Sequence, residues 1–173
     1  MHYVALRYFN ASGALPEEGL GEQHDPETHV IPLLLKSAYD DTTFKVFGTD
    51  YPTPDGTAIR DYVHVLDIAQ AHVLALKYLE QGNSSDVFNL GTGNRVSVKE
   101  MVQAVETVCN KKLSILWSER RAGDPAILVA NSTKAEQILG WKPEHSDITN
   151  IIRSAYEFYL MQRQNTLQKT VSQ

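Results

Sequence analysis

With 173 residues, 42% of them apolar and 21% charged, the chain is long enough for one domain with a real core and has an ordinary globular composition. A formal net charge of -5 gives no general attraction to polyanions, which argues against a nucleic-acid partner and leaves any phosphate to a few placed arginines. The single Cys109 excludes an internal disulfide framework, the longest apolar stretch (Val30 to Leu35) contains Pro32 and is too short to span a bilayer, and no basic region precedes an apolar one at the start, so the sequence reads as cytoplasmic with no membrane partner.

Tyr3 to Asn10 carries Val4, Leu6, Tyr8 and Phe9 and runs into Ala11-Ser12-Gly13, which predicts a strand followed by a turn. A self-contained domain rarely opens on a core strand, so the expectation is a fragment of a longer protein. Leu15 to Thr28 is rich in Pro, Gly and Glu and reads as a loop, with His24 and the adjoining His29 solvated. Val30 to Tyr39 reads as a helix with Pro32 in its first turn, and Lys45 to Gly48 as a short strand with its stop. Asp50 to Thr57 is a long polar loop, of the kind kept when it packs or binds something. Ile59 to Val65 reads as a short strand, after which Asp67 is expected to cap a helix running to Gly82. Asp86 to Leu90 is a strand ending in Gly91-Thr92-Gly93, and Ser97 with Glu100 forms a capping box for a helix that buries Met101, Val102, Val105, Val108 and Cys109. Leu113 to Trp117 is a strand. Thr133 with Glu136 is expected to cap a short helix ending at Gly140, Ile148 to Tyr159 marks the last long helix, and the polar tail after Arg163 is expected to fray. Strands and helices alternate throughout, so the fold class is α/β.

Tests for a complete active site fail. The glycine pairs Gly19/Gly21 and Gly91/Gly93 are followed by His24 and Val96 where a third glycine would complete a dinucleotide fingerprint. None of the eight tyrosines has a lysine four residues later, and no metal-ligand spacing appears, so neither a Tyr-Lys acid/base pair nor a metal is expected. What remains suits a diphosphate and a nucleoside: Arg60 with Asp61 and Tyr62 after the long loop, and Arg120, Arg121 and Asp124 in a later Gly-Pro loop. A guanidinium fork grips paired phosphate oxygens, although each arginine taken singly also reads as a surface ion-pair residue. Asp124 suits ribose hydroxyls or a turn before Pro125, and Phe47 suits a stacked base or the core.

The strings Leu6-Arg7-Tyr8-Phe9-Asn10, Phe47-Gly48-Thr49-Asp50-Tyr51-Pro52-Thr53-Pro54-Asp55-Gly56-Thr57, Ile59-Arg60-Asp61-Tyr62-Val63-His64-Val65, Asn89-Leu90-Gly91-Thr92-Gly93, Arg120-Arg121-Ala122-Gly123-Asp124-Pro125 and Leu139-Gly140-Trp141-Lys142-Pro143 follow one another in an order that resembles the UDP-hexose 4-epimerases of the extended short-chain dehydrogenase/reductase family. The resemblance covers nearly the whole chain. It implies a C-terminal UDP-sugar-binding part over residues 1–173, with 1–12 and about 60–93 belonging to a Rossmann-type parallel sheet beside a smaller α/β substrate domain. It further implies an N-terminal half, outside these residues, that holds NAD and the Tyr-Lys pair. The implied reaction removes a hydride from sugar C4 to NAD and returns it to the other face, interconverting UDP-glucose and UDP-galactose, in an enzyme that is a homodimer. No catalytic residue is expected in this chain, and alone it is expected to be inactive.

Carried over by motif position, Phe9 would approach the nicotinamide through its backbone and Asn10 would bind substrate. Val30, Lys45 and Phe47 would line the uridine site, Arg60 and Arg121 would hold the diphosphate, and Asp124 would bind ribose. His29-Val30 stands where some members have Asn-Leu. Leu128 occupies a position that is tyrosine in members with a tight sugar pocket and small in members admitting N-acetylhexosamines, which leaves the sugar range open. Two alternatives stay in play: another nucleotide-sugar enzyme of the same family, against which the Asp50 to Thr57 loop argues, and a non-catalytic UDP-sugar-binding module.

Overall fold

The computed structural model describes residues 1–171, and local sequence signals account for most of its elements. In chain order these are β1 (Val4–Tyr8), β2 (Asn10–Ser12), a 3-10 turn (Pro16–Glu18), α1 (Val30–Asp40), β3 (Thr43–Phe47), β4 (Ile59–Arg60), β5 (Tyr62–His64) and α2 (Val65–Glu80). There follow β6 (Asp86–Leu90), β7 (Val96–Ser97), α3 (Val98–Cys109), β8 (Ser114–Ser118), β9 (Ile127–Leu128), α4 (Thr133–Leu139) and α5 (Ile148–Val171). The class is α/β, and the strands pair mainly in parallel. β1 lies along β6 from Val4 opposite Asp86 to Tyr8 opposite Leu90, β2 along β5, and β3 along β8 from Thr43 opposite Ser114 to Phe47 opposite Ser118. β4 sits between β9, parallel to it, and β7, antiparallel. Parallel partners need a long crossover, and helices supply much of it: α1 lies between the partners β2 and β5, α1 and α2 between β1 and β6, and α2 and α3 between β3 and β8.

Two apolar clusters hold these layers together. Ile31, Leu34 and Leu35 of α1 meet Met101, Val102 and Val105 of α3 and Ile151 and Ile152 of α5, the helical spacing that places each set on one face. The second cluster joins Val63, Ile68, Phe88, Leu90, Leu139 and Trp141, so it packs β5, β6, α2 and α4 together. Cys109 packs against the first cluster, and burial pushes its thiol up to about 11, in keeping with an inert core thiol.

The capping box at Ser97 and Glu100 forms as read, each side chain bonding the other's backbone amide. Four expectations need correction. The predicted strand Tyr3 to Asn10 is broken at Phe9, because the chain leaves β6 there and Asn10 starts a new pairing with Tyr62. Thr133 is the first residue of α4 rather than its cap; Ser132 precedes it without a side-chain bond. The polar tail after Arg163, expected to fray, is helical: α5 continues to Val171, and residues 172–173 lie outside the described residues. Finally, α2 is capped by His64, whose Nδ1 accepts from the Leu66 amide at 3.1 Å. Asp67 instead turns its buried carboxylate to the 144–146 segment, accepting from the amides of Glu144 (2.9 Å) and His145 (3.0 Å) and from the Ser146 hydroxyl.

The buried His64 cap gives a pH signature. Its Nε2 lies 3.1 Å from Ser154 Oγ, and burial lowers its pKa against the opposing pull of Asp67. A histidine whose folded pKa lies below its unfolded value of about 6.5 binds its proton more readily when unfolded, so stability falls as pH drops through that value. We expect urea midpoints to decline between pH 7.5 and 5.5 and the decline to flatten in His64→Gln. An unchanged slope in the variant would assign the effect elsewhere.

Candidate functional site

Because β3 and β8 run parallel and end opposite each other at Phe47 and Ser118, the segment leaving β8 passes over the end of β3. That path carries Arg121 onto Phe47, its guanidinium carbon 4.0 Å from the ring centre, while Lys45 brings its Nζ to 4.9 Å from the same ring. Both contacts are cation–π arrangements, so the ring carries a cationic cover that an incoming base would share or displace. Three of the residues expected at a uridine-diphosphate site are thereby adjacent.

Further along the same segment Asp124 reaches Arg60. The pair is an ion pair between Nη2 and Oδ1, and Nη1 donates to the carbonyls of Ile59 (2.8 Å) and Pro125 (2.9 Å). The Arg60 side chain is only 14% exposed, so the surface ion-pair reading fails for it. It latches the loop onto β4, and the Tyr51 hydroxyl adds a bond to Asp124 Oδ2 at 3.4 Å. Burial, with Asp124 beside it, raises the Tyr51 pKa, which keeps that hydroxyl a donor. Arg120 is taken up differently: its Nε and Nη2 hold both Asp50 oxygens at 2.7 and 2.9 Å, and its guanidinium lies 4.6 Å from the Tyr51 ring centre. That bond to Arg120 draws the Asp50 pKa below its ordinary value. The long loop is therefore tied to the later one, and it is also braced from within. Asp55 accepts from the Thr57 amide (2.8 Å) and hydroxyl (2.7 Å) and from the Ser97 hydroxyl. Gly56 takes a positive φ of 81°, where a Cβ would sit 2.2 Å from the Thr49 carbonyl, so only glycine fits there.

A second concavity opens at the carboxyl ends of β1 and β6. It has a volume of ≈ 450 Å³ and is lined by Arg7, Tyr8, Phe9, Asn10, Asn89 and Leu128. Asn10 is held by its Nδ2 bond to the Asp61 carbonyl at 2.7 Å. Leu128 pairs in register with Arg60 across β9 and β4, so this concavity adjoins the Arg60–Asp124 latch. Of the expected residues, Val30 alone stands apart. It is the first residue of α1 and packs partly buried against the α1–α3–α5 cluster.

Sequence reading missed the part played by Asp61. Its fully buried carboxylate accepts from the Thr92 amide (3.0 Å) and hydroxyl (2.6 Å), the Gly93 amide (3.1 Å) and the Ala130 amide (3.2 Å). It thus pins the Gly91-Thr92-Gly93 turn and the β9 exit to the strand that carries Arg60. A Cβ on Gly91 would meet Ala130 at 2.2 Å, which explains a glycine where the two segments touch. His24 and His29, expected as solvated loop residues, stay more than half exposed yet turn Nδ1 toward Glu22 and Glu27. Burial raises the Glu22 pKa; Glu27, although burial pushes it up, ends lower because the His29 and Thr28 amides donate to it.

Comparison with known proteins agrees with this architecture. Residues 1–91 match the model of the NAD dependent epimerase/dehydratase family. The chain is 48% identical over 160 residues to the UDP-glucose 4-epimerase of Lacticaseibacillus casei, covering 92% of this chain and 48% of that one. A crystal structure of a UDP-glucose 4-epimerase superposes with a TM-score of 0.90 at 49% identity over 94% of this chain and 50% of that one. The UDP-glucose 4-epimerase of Bifidobacterium longum in complex with NAD+ and UDP superposes with a TM-score of 0.84 at 36% identity, over 94% of this chain and 48% of that one. This chain belongs to the NAD dependent epimerase/dehydratase family. It spans about half the length of the curated relatives it matches. Among the described residues, no helix is long and apolar enough to cross a membrane.

Proposed function

We propose that this chain is the UDP-sugar-binding part of an NAD-dependent UDP-glucose 4-epimerase that works in the cytoplasm as a homodimer. One observation carries the reading: Lys45, Phe47, Arg60, Arg121 and Asp124, drawn from separate segments, come together as two adjoining contacts spanned by one loop. Phe47, with Lys45 beside it, offers a ring for the uracil, Arg121 and Arg60 offer positive charge to the diphosphate, and Asp124, steadied by Arg60 and Tyr51, offers oxygens to ribose hydroxyls. Fixing the nucleotide end this firmly lets the hexose turn within the concavity at Asn10 and Leu128 without losing its anchor.

That concavity lies where open parallel sheets receive ligands, beyond the carboxyl ends of β1 and β6. The position favours counting residues 1–12 and about 60–93 with the Rossmann-type sheet, and it fits a nicotinamide approaching the Phe9 backbone. NAD, when bound, supplies the acceptor and donor of the C4 hydride. The residues here would hold the sugar against it, and Val30 would contribute through its backbone.

Two measurements test the reading separately. UDP should bind the purified chain with one site in calorimetry, and loss of that binding in Phe47→Ala, with the fold intact by circular dichroism, is expected. A coupled assay with UDP-galactose and added NAD should give no turnover by the chain alone, since no tyrosine in it has a lysine four residues on. Turnover above the no-protein blank would overturn the assignment of the chemistry to residues outside this chain, while absence of UDP binding would overturn the site.

A further inference from the structure

We propose that Glu22, His24, Glu27 and His29 form a tetrahedral site for a zinc ion at the entrance to α1. Each residue offers one ligand atom, and these atoms all lie within 4.8 Å of one another. The four nitrogen-to-oxygen separations are 3.3 Å (His24 to Glu22), 3.7 Å (His24 to Glu27), 2.6 Å (His29 to Glu22) and 3.3 Å (His29 to Glu27). Zinc bonds of about 2.0–2.2 Å in a tetrahedron place ligand atoms about 3.3–3.6 Å apart, so an ion would part His29 Nδ1 from Glu22 Oε1, now at hydrogen-bond distance, and would take one of the two Glu27 oxygens, of which Oε2 faces His24 and Oε1 faces His29.

The donor chemistry selects the metal. Two imidazole nitrogens with two carboxylate oxygens form a borderline set that suits zinc, whereas calcium and magnesium take oxygen almost alone and copper(II) prefers a flatter arrangement. Electrostatics agrees, because the fold brings the Glu22 and Glu27 carboxylates together, both mostly shielded from solvent, and a divalent cation neutralises the pair. The cluster borders a cavity of ≈ 260 Å³ lined by Glu22, His24 and Glu27 together with Ile31, Phe158 and Tyr159; Lys36 and Arg163, which also line it, are each paired with Asp40.

Four protein ligands close the site, which makes it structural rather than catalytic. His29 is the residue that caps α1 and has no side-chain bond of the capping kind. Its imidazole held by an ion would fix the start of α1, whose Ile31 and Leu34 enter the core immediately afterwards. The sequence gives little hint of this, because E-x-H-x-x-E-x-H lies in an irregular loop and matches no helical or hairpin ligand spacing.

The test is calorimetric titration of the tag-free, chelator-stripped chain with Zn2+, alongside Co2+ titration followed by visible absorption. One Zn2+ per chain and the strong d–d bands of tetrahedral Co2+ are expected. The double variant His24→Gln/His29→Gln should bind Zn2+ about 100-fold more weakly or worse, while His72→Gln, on the far element α2, should bind as the parent does. Circular dichroism of each metal-free protein separates lost ligands from lost fold, and Glu22→Gln offers a milder second variant with an expected loss of about tenfold. Failure of the folded parent chain to bind Zn2+, unchanged binding in the double variant, or the weak spectrum of six-coordinate Co2+ would each overturn the proposal.

Discussion

Replacing Asp61 with alanine is expected to destabilise the chain by about 3–5 kcal/mol, because the buried carboxylate serves three backbone amides and a hydroxyl from two other segments. Removing it leaves the buried Ala130 amide with no acceptor, a loss of about 1–3 kcal/mol, and frees the Thr92 and Gly93 amides at the more open turn, which water can partly satisfy. Domains of this size hold only about 5–15 kcal/mol in total, so the thermal midpoint should fall by roughly 10–15 °C. Asp61→Asn keeps one acceptor oxygen but turns an NH2 toward amides that themselves donate, so about half of the loss should persist. Urea unfolding followed by circular dichroism measures both variants. A loss under 1 kcal/mol in Asp61→Ala would show that these amides find other partners and that the carboxylate does not hold the turn.

Asp61 also marks where sequence reading stops. Signals that act within one turn of chain were legible: the Ser97–Glu100 box, the glycine at the end of α4, and the apolar face of α3 are all set by residues three or four apart. Thr133 with Glu136 has the same spacing as a box and was misplaced by one residue, since spacing cannot say whether the hydroxyl stands outside the first turn or in it. Asp67 was assigned to its own helix because helix capping is the local use of an aspartate. Its actual partners lie at 144–146, reached only when α2 packs against the segment after Trp141.

The candidate site shows the same division. The residue types were readable: arginines for phosphate, an aromatic for a base, an aspartate for ribose hydroxyls. Their meeting was not, because Arg121 reaches Phe47 only through the parallel register of β3 and β8, and Asp124 reaches Arg60 only through that of β4 and β9. Parallel strands pair across long crossovers, and register is then a property of the packed layers rather than of any short stretch. Glu22 to His29 escaped for a different reason, since a loop of irregular backbone has no period from which convergence of four side chains could be read.

Arg121→Ala and Arg60→Ala are each expected to weaken UDP binding by about tenfold to a hundredfold, and the two should differ in how lysine rescues them. Arg121 is exposed and rests on the Phe47 ring, so its role is to present charge beside the base. Lysine at 121 keeps that charge and should recover part of the affinity. Arg60 is mostly buried, and its two terminal nitrogens are committed to three acceptors: Asp124 and the Ile59 and Pro125 carbonyls. A planar fork meets acceptors in those directions and a single ammonium does not, so Arg60→Lys should behave almost like Arg60→Ala. The coupling follows from the same geometry: once Asp124 is alanine, removing Arg60 should cost appreciably less than it does in the parent chain, because part of its effect runs through Asp124. Calorimetric UDP titration of the five single variants, Asp124→Ala among them, and of the Arg60/Asp124 double variant, each checked for fold by circular dichroism, provides the measurement. Unchanged affinity in folded Arg60→Ala and Arg121→Ala would remove the diphosphate assignment, and full rescue by lysine at 60 would show that Arg60 contributes only charge and that its latch on the 124–125 segment is immaterial to binding.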